Sequence, residues 1–347
     1  MEHIKGDAAK AIIKGAMVKE GVEEKTADYV AQGLTSTSLR GTDSHGIRLI
    51  HHYLAAVKSG RINPKPAYSV EKKMPTIAVL DADHTFGHAA GMEAAKLAVE
   101  MADEFGSGNV AIKNSTHFGA AAFFALEIAH HDMIGTSYTH SDSLIIPTHG
   151  KRSFLGNNPV CFAAPVKDEG PFCLDMATSI ITFNAVRQLQ ERGEKAPENV
   201  GTDKNGIPTT DANEIKMLLP VGSYKGYGLS LMVEVLCSML TGMPFGPHIS
   251  KMFEDLEKKR HLGHFVSAMK VSGFTPIDQF KERMAMMIKE LRNEPRLDPE
   301  QAVMVAGDPE KISLEDRSKS GIPLTMEELE AFQKLSNTYH LGVDVEG

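Results

Sequence analysis

Lys113-Asn114-Ser115-Thr116-His117-Phe118-Gly119-Ala120-Ala121 joins two patterns of different period. Residues 108–112 read as a short buried strand, whereas 120–129 repeat apolar residues at helical spacing. This succession predicts an α/β body and places the imidazole of His117 on a strand-to-helix turn, where a proton can be exchanged near neutral pH. A loop histidine that bonds its own turn is the simpler reading for one of 15 histidines, so other segments must decide.

Working outward, residues 8–18, 23–37 and 49–59 carry helical periodicity, and Pro64, Pro66 and Pro75 then break further helix before a strand at 76–80. The expected organisation is a helical N-terminal region over 1–72, an α/β body over 73–310 and a C-terminal helical segment over 311–347 that returns to the N-terminal region. Within the body we expect a helix near 92–104, strands at 109–112 and 133–138, a polar connection at 201–213, a charged helix at 252–260 and extended chain at 295–309. A last helix is expected near 326–336. Gly106-Ser107-Gly108-Asn109-Val110-Ala111 fits a loose G-x-G-x-x-A, but it follows a helix and enters a strand, the reverse of a dinucleotide fingerprint.

Two further segments concentrate polar chemistry. Leu39-Arg40-Gly41-Thr42-Asp43-Ser44-His45-Gly46-Ile47-Arg48 packs arginines, an aspartate, a serine and a histidine between helical patterns. Arg48 there suits a two-bond clamp on a carboxylate, and Ser44 and His45 suit a substrate hydroxyl or carbonyl. Ser223-Tyr224-Lys225-Gly226-Tyr227-Gly228-Leu229 sets a lysine among glycines at a helix start, an anion site by its amides, dipole and charge. The order is not that of a Walker loop, and the apolar run 231–240 after it fits a buried helix.

At 347 residues and 42% hydrophobic the chain can bury a large core, and a net charge of −8 argues against a general nucleic-acid surface. Cys161, Cys173 and Cys237 lack zinc spacing and an even count, which suits reduced core thiols. No apolar run is long enough to span a bilayer and the first residues are polar, so a cytoplasmic protein without membrane contact is expected. His51-His52 and His130-His131-Asp132 place adjacent side chains on helical patterns, where they do not converge, so no metal site is expected.

These segments together resemble the type 2 malate/L-lactate dehydrogenase family, which includes ureidoglycolate and sulfolactate dehydrogenases. The pieces follow in order: Arg40-Gly41 with Ser44-His45-Gly46, His117-Phe118-Gly119, Gly156-Asn157-Asn158-Pro159, Asp175-Met176-Ala177-Thr178-Ser179, Asp203-Lys204-Asn205-Gly206-Ile207-Pro208, Lys225-Gly226-Tyr227-Gly228 and Gly307-Asp308-Pro309. The resemblance implies a sulfolactate dehydrogenase-like α/β fold, a non-Rossmann mixed sheet that binds NAD or NADP, and a homodimer or higher even oligomer. It implies hydride transfer between nicotinamide and a small 2-hydroxy acid of malate or lactate type. Ureidoglycolate is the runner-up, and sulfolactate and diketogulonate are further options.

One branch of the family makes His117 the proton acceptor, whereas another favours His45 supported by Ser44; both assignments stand. Cofactor contacts carry over to His117, Phe118, Gly119, Ser141, Asp175, Met176, Ala177, Lys225, Gly307 and Asp308, and Asn158 joins Arg48 as a substrate contact. Many relatives carry the clamping arginine one residue later, where this chain has Leu49. From another class, a non-catalytic binding protein would keep the pocket without assembling the proton-transfer groups.

Overall fold

The structure, a computed structural model, describes residues 2–345. The chain opens with β1 (Glu2–Ile4), α1 (Gly6–Lys19), α2 (Glu24–Leu39) and α3 (Ile50–Lys58), then β2 (Ser69–Met74), β3 (Ile77–Asp81), α4 (Gly87–Phe105), β4 (Ser107–Ser115), α5 (Ala122–His130) and β5 (Met133–Thr139). It continues through β6 (Val160–Ala164), β7 (Phe172–Met176), α6 (Phe183–Arg192), β8 (Gly201–Thr202), β9 (Met217–Leu218), α7 (Tyr224–Glu234) and β10 (Leu262–Lys270). It closes with α8 (Ile277–Arg292), α9 (Asp308–Ser320), β11 (Ile322–Leu324) and α10 (Met326–Thr338).

Seven strands form the central sheet in the order β2-β3-β4-β10-β5-β6-β7. Only β3 and β4 run parallel among neighbours, with Leu80 opposite Ile112, so the sheet is mixed and not a doubly wound parallel one. Their crossover is α4, whose Ala90, Ala94, Ala95, Ala98 and Ala102 are small enough to lie directly on Val110 and Ile112. Gly106 ends that helix in the left-handed conformation, so the loose glycine motif there is a helix stop.

A second core lies under the N-terminal helices. Ile12, Ile13 and Met17 of α1 meet Val30 and Leu34 of α2, and α10 adds Leu329, Phe332 and Leu335 to the same cluster. The chain end is tied there by strand pairing as well, with Ile4 of β1 opposite Ile322 of β11. Burial of this shared apolar stripe, rather than sequence proximity, joins the first and last segments.

Three expectations about local structure are corrected. Residues 252–260 form bends and turns rather than a helix, because Arg61, 1% exposed, collects their carbonyls: Nε donates to Lys258 O at 3.0 Å, Nη1 to Met252 O at 2.5 Å, and Nη2 to Glu254 O and Asp255 O at 2.5 and 2.7 Å. The segment expected to be extended to residue 309 instead enters α9 at Asp308. The run 231–240 is helical but buried on one face only: Val233, Glu234, Cys237 and Ser238 are buried, whereas Met232, Val235 and Met239 stand 40%, 52% and 55% exposed. No helix among the described residues is long and apolar enough to cross a membrane.

Candidate active site

His117 leaves the sheet two residues after β4 and sits in the turn before α5. Gly119 turns this chain at φ +75°, and a Cβ there would come 2.2 Å from His88 Nε2, so a side chain is excluded by conformation and by space. Tyr53 of α3, 1% exposed, places its hydroxyl 2.6 Å from His117 Nδ1. The ring of His45 stacks on that of His117, with centroids 5.5 Å apart and planes inclined by 26°. Ser44 Oγ lies 2.9 Å from His45 Nδ1. The proton-transfer candidates of two distant segments therefore meet: Ser44, His45, Tyr53 and His117 are one connected group.

The 43–49 segment that carries His45 is held from the far end of the sequence. Arg317 Nη1 donates to Ser38 O at 2.6 Å and to Asp43 Oδ1 at 2.8 Å, and the Ile47 amide donates to Ser38 Oγ at 3.0 Å. These bonds stiffen a short irregular stretch that has little buried surface of its own.

Burial drives the pKa of His117 well below the usual histidine value, and the nearby charges of His45, His88, Arg260 and His52 act in the same direction. Burial lowers His45 as well. Both residues nevertheless keep half-buried surface, the situation of groups on the floor of a cleft, and water access limits how far the burial effect carries. With His45 opposing protonation of His117 and both rings lowered from the usual histidine value, both are neutral at neutral pH. Burial raises the Tyr53 hydroxyl far out of the physiological range, so it stays protonated.

Asp175, at the end of β7, accepts the Ala122 amide on Oδ2 at 2.8 Å, at the start of α5. Crowding by the surrounding chain pushes its carboxyl upward, against the Ala122 bond and the charge of Arg40, and its exposed surface limits that rise. Its surface stays open, with half-buried Met176 and Ala177 beside it, so the second carboxylate oxygen can accept a ligand hydroxyl. Lys225 is exposed on the first turn of α7, where Gly222 and Ser223, both at φ +58°, bend the chain into the helix. Gly307 caps α9 at φ +95°, and Ser141 accepts the Asn157 amide on Oγ at 3.2 Å while its hydroxyl proton stays available. An acceptor carboxylate, helix amides and an exposed lysine suit a ligand with ribose hydroxyls and phosphates, so the donor set fits a nicotinamide dinucleotide.

The side chains of four expected site residues are engaged within the protein itself. Arg48 is already engaged: Nε and Nη2 meet Glu328 at 2.5 and 3.2 Å, Nη2 meets Pro323 O at 3.1 Å, and Nη1 lies 3.3 Å from Asp43. Asn158 does not face a substrate but is fully buried, donating to Glu234 and Ser230 O at 2.8 and 3.1 Å and accepting the Ser141 amide at 3.1 Å. The Phe118 ring is core, 1% exposed between Phe124 and His264 at 4.0 and 4.1 Å. The Asp308 carboxylate is gripped by Arg292 through Nε at 3.0 Å and Nη2 at 2.6 Å.

The sequence reading missed Tyr53, hidden as an ordinary apolar position of α3, and the buried pair His140 and Glu234. His140 accepts the Gly263 amide on Nε2 at 2.8 Å, which leaves Nδ1–H to face Glu234 at 3.4 Å. Burial would raise the Glu234 carboxyl, but bonds from His140, Gly246 and Asn158 outweigh it and hold the group below the usual carboxylate range. A glutamate inside an otherwise apolar helical run was the available signal.

Residues 4–333 match the family described as malate/L-lactate dehydrogenase. The malate dehydrogenase of Pyrococcus abyssi is 35% identical over 340 residues, covering 95% of this chain and 93% of that protein. Among solved structures, the malate dehydrogenase of Entamoeba histolytica aligns with a TM-score of 0.92 at 31% identity over 98% of each chain. The sulfolactate dehydrogenase of Methanocaldococcus jannaschii aligns with a TM-score of 0.91 at 30% identity, over 99% of this chain and 98% of that one. With a match of this extent behind the assembled histidine pair and the mixed sheet, the chain belongs to the malate/L-lactate dehydrogenase family of hydroxy-acid oxidoreductases.

Proposed function

We propose that the chain interconverts a small 2-hydroxy acid and its 2-oxo acid, malate and oxaloacetate before lactate and pyruvate, with NAD as the cofactor. The observation that carries this reading is the bond between Tyr53 and His117 beneath the stacked His45. With Nδ1–H donating to the Tyr53 oxygen, Nε2 of His117 keeps its lone pair for the substrate hydroxyl, and the depressed pKa keeps the ring neutral as a base. His45, bonded to Ser44, lies over the same ring and opposes a second proton there. Bound nicotinamide supplies or takes up the hydride. Asp175, with Met176 and Ala177 beside it, is the proposed ribose contact, and Lys225, Ser141 and the Gly307 turn are the proposed phosphate contacts.

A second copy of the chain is the proposed partner. Exposed Leu229, Met232, Val235 and Met239 give the helical run from α7 an apolar outer face, and the first turn of the same helix carries Lys225. Covering that face would steady the phosphate site and remove an exposed apolar patch from water. Val235→Glu is then expected to shift sedimentation from dimer to monomer, and an unchanged profile would argue against this face.

The function is tested by mixing the enzyme with reduced NAD or reduced NADP and oxaloacetate, pyruvate, sulfopyruvate or oxalurate while following loss of reduced-nicotinamide absorbance. Fastest turnover with oxaloacetate and NAD is expected. Preference for oxalurate would move the assignment to the ureidoglycolate reaction, and no turnover of any 2-oxo acid would overturn it.

A further inference from the structure

Arg48 is spent on structural partners, yet a 2-oxo acid brings a carboxylate that must be neutralised in a cleft whose histidines are neutral. A second arginine stands where that charge is needed. Arg260 precedes β10 by two residues, and Leu262, the first residue of β10, pairs with Ser115, the last of β4 and two residues before His117. The chain carrying Arg260 therefore enters the sheet beside the turn that holds His117.

That approach is fixed rather than loose. Besides the four carbonyls gathered by Arg61, Ser59 Oγ donates to Leu256 O at 2.7 Å, Lys259 Nζ donates to Gly60 O at 2.8 Å, and the Phe253 ring packs edge-on against His52 at 4.9 Å. The whole segment before Arg260 is fastened to the end of α3, the helix that supplies Tyr53.

Arg260 itself is 4% exposed and is held by one carboxylate, with Nη2 donating to Asp142 Oδ1 at 2.8 Å. Its Nε is enclosed without a partner, and no acceptor among the described residues meets Nη1. The guanidinium thus keeps an enclosed Nε–H without a partner, a costly arrangement, beside an Nη1 edge that is not enclosed and that a ligand can reach. The charged and titratable groups around it are Asp142, Arg61, Tyr53, His52 and His117, and its positive charge acts on the last four. Arg61 spends four of its five N–H donors on carbonyls, whereas Arg260 spends one on Asp142, which makes Arg260 the cation better able to take an incoming anion.

We propose that Arg260 binds the substrate carboxylate, with Asp142 orienting the guanidinium so that its free edge holds the acid group and brings the adjacent carbonyl or hydroxyl to His117. This rests on the 2-hydroxy acid reading above and adds the residue that makes the site select acids over neutral carbonyl compounds. Asp142 acts through Arg260 and is a positioning residue.

The test separates the two claims. Oxalate, a carboxylate that cannot be reduced, is titrated calorimetrically into the enzyme with reduced nicotinamide present, for wild type, Arg260→Met and Arg260→Lys. Wild type is expected to bind oxalate, Arg260→Met to lose roughly 10- to 100-fold in affinity, the range for charged hydrogen bonds, and Arg260→Lys to recover part of it. Reduction of a 2-oxo acid and of its methyl ester gives a second readout. KM for the acid should rise in Arg260→Met while that for the ester is little changed, and the affinity for reduced cofactor should stay within about twofold of wild type. If Arg260→Met does not fold, as melting would show, Arg260→Lys alone carries the comparison. Undiminished oxalate binding in the folded variant, or an acid-over-ester preference equal to wild type, overturns the role of Arg260. Oxalate binding that depends on Arg260 in an enzyme that turns over no 2-oxo acid would support it and sink the proposed reaction instead.

Discussion

Replacing Arg48 by alanine should weaken the fold much more than it weakens substrate binding. The side chain and that of Glu328 are each about one-third exposed, at 32% and 31%, and meet through two charge-assisted bonds, with a further bond to Pro323 O. Buried bonds to charged groups contribute about 1.5–3 kcal/mol each. Screening at this exposure cuts the Glu328 pair to roughly 1–2 kcal/mol in total, and the carbonyl bond adds about 1 kcal/mol. The expected loss is therefore about 2–3 kcal/mol. An unfolding entropy of about 2.1 cal/mol/K per residue gives about 0.7 kcal/mol/K for 347 residues, so Tm should fall by about 3–4 °C. Calorimetric melts of Arg48→Ala, Glu328→Gln and the double variant should reveal a coupling of about 1 kcal/mol, while KM for the 2-oxo acid changes by less than about threefold. A KM raised tenfold or more at unchanged Tm would refute the structural assignment of Arg48 and return the carboxylate clamp to it.

Tyr53→Phe removes the partner of His117 Nδ1 while keeping the ring, so kcat should drop by about tenfold or more with a stability loss near 1 kcal/mol; unchanged kcat would contradict the positioning role. Because the pKa of His117 is depressed from 6.5, the acid limb of hydroxy-acid oxidation should lie below pH 6.5, and reduction, which needs the imidazolium, should fall as pH rises through the same lowered value. An oxidation limb at or above 6.5 in the pH–rate profile would refute this. His88 is fully buried with both ring nitrogens unpartnered, and burial lowers it from 6.5 to about 3, so above pH 6.5 it is neutral in both the folded and unfolded states. Below that value only the unfolded chain takes up the proton, and stability should fall by about 1.4 kcal/mol per pH unit towards pH 3, seen as falling urea midpoints. Midpoints independent of pH between 7 and 5 would contradict it.

Local signals carried much of the fold. The three N-terminal helices were expected at 8–18, 23–37 and 49–59 and occur at Gly6–Lys19, Glu24–Leu39 and Ile50–Lys58, because their apolar residues recur at helical spacing over a shared core. The turn holding His117 was legible for the same reason, as one period gives way to another. The start of α4 was not, since Gly87-His88-Ala89-Ala90-Gly91 has weak helical propensity and is helical through its packing on the sheet and against Phe118 and Phe124. Strand β2 escaped notice because all six residues are exposed and carry no alternation. The site was harder to read where partners are remote: Glu328 lies 280 residues from Arg48, and Arg61 reaches across 191 to 197 residues to convert an expected charged helix into a pinned turn. Residue type alone marked Arg48 as a free cation, whereas its neighbours in space decide which donors remain.

The most direct test of the central claim is the single-turnover rate of reduced-cofactor oxidation by oxaloacetate in His117→Ala against wild type, with His45→Ala measured alongside. Loss of the proton-transfer group should slow His117→Ala by about a hundredfold or more at unchanged cofactor affinity, and His45→Ala should be affected less. A His117→Ala rate close to wild type, with the large loss found in His45→Ala, would contradict the account and give the proton to the other ring of the pair.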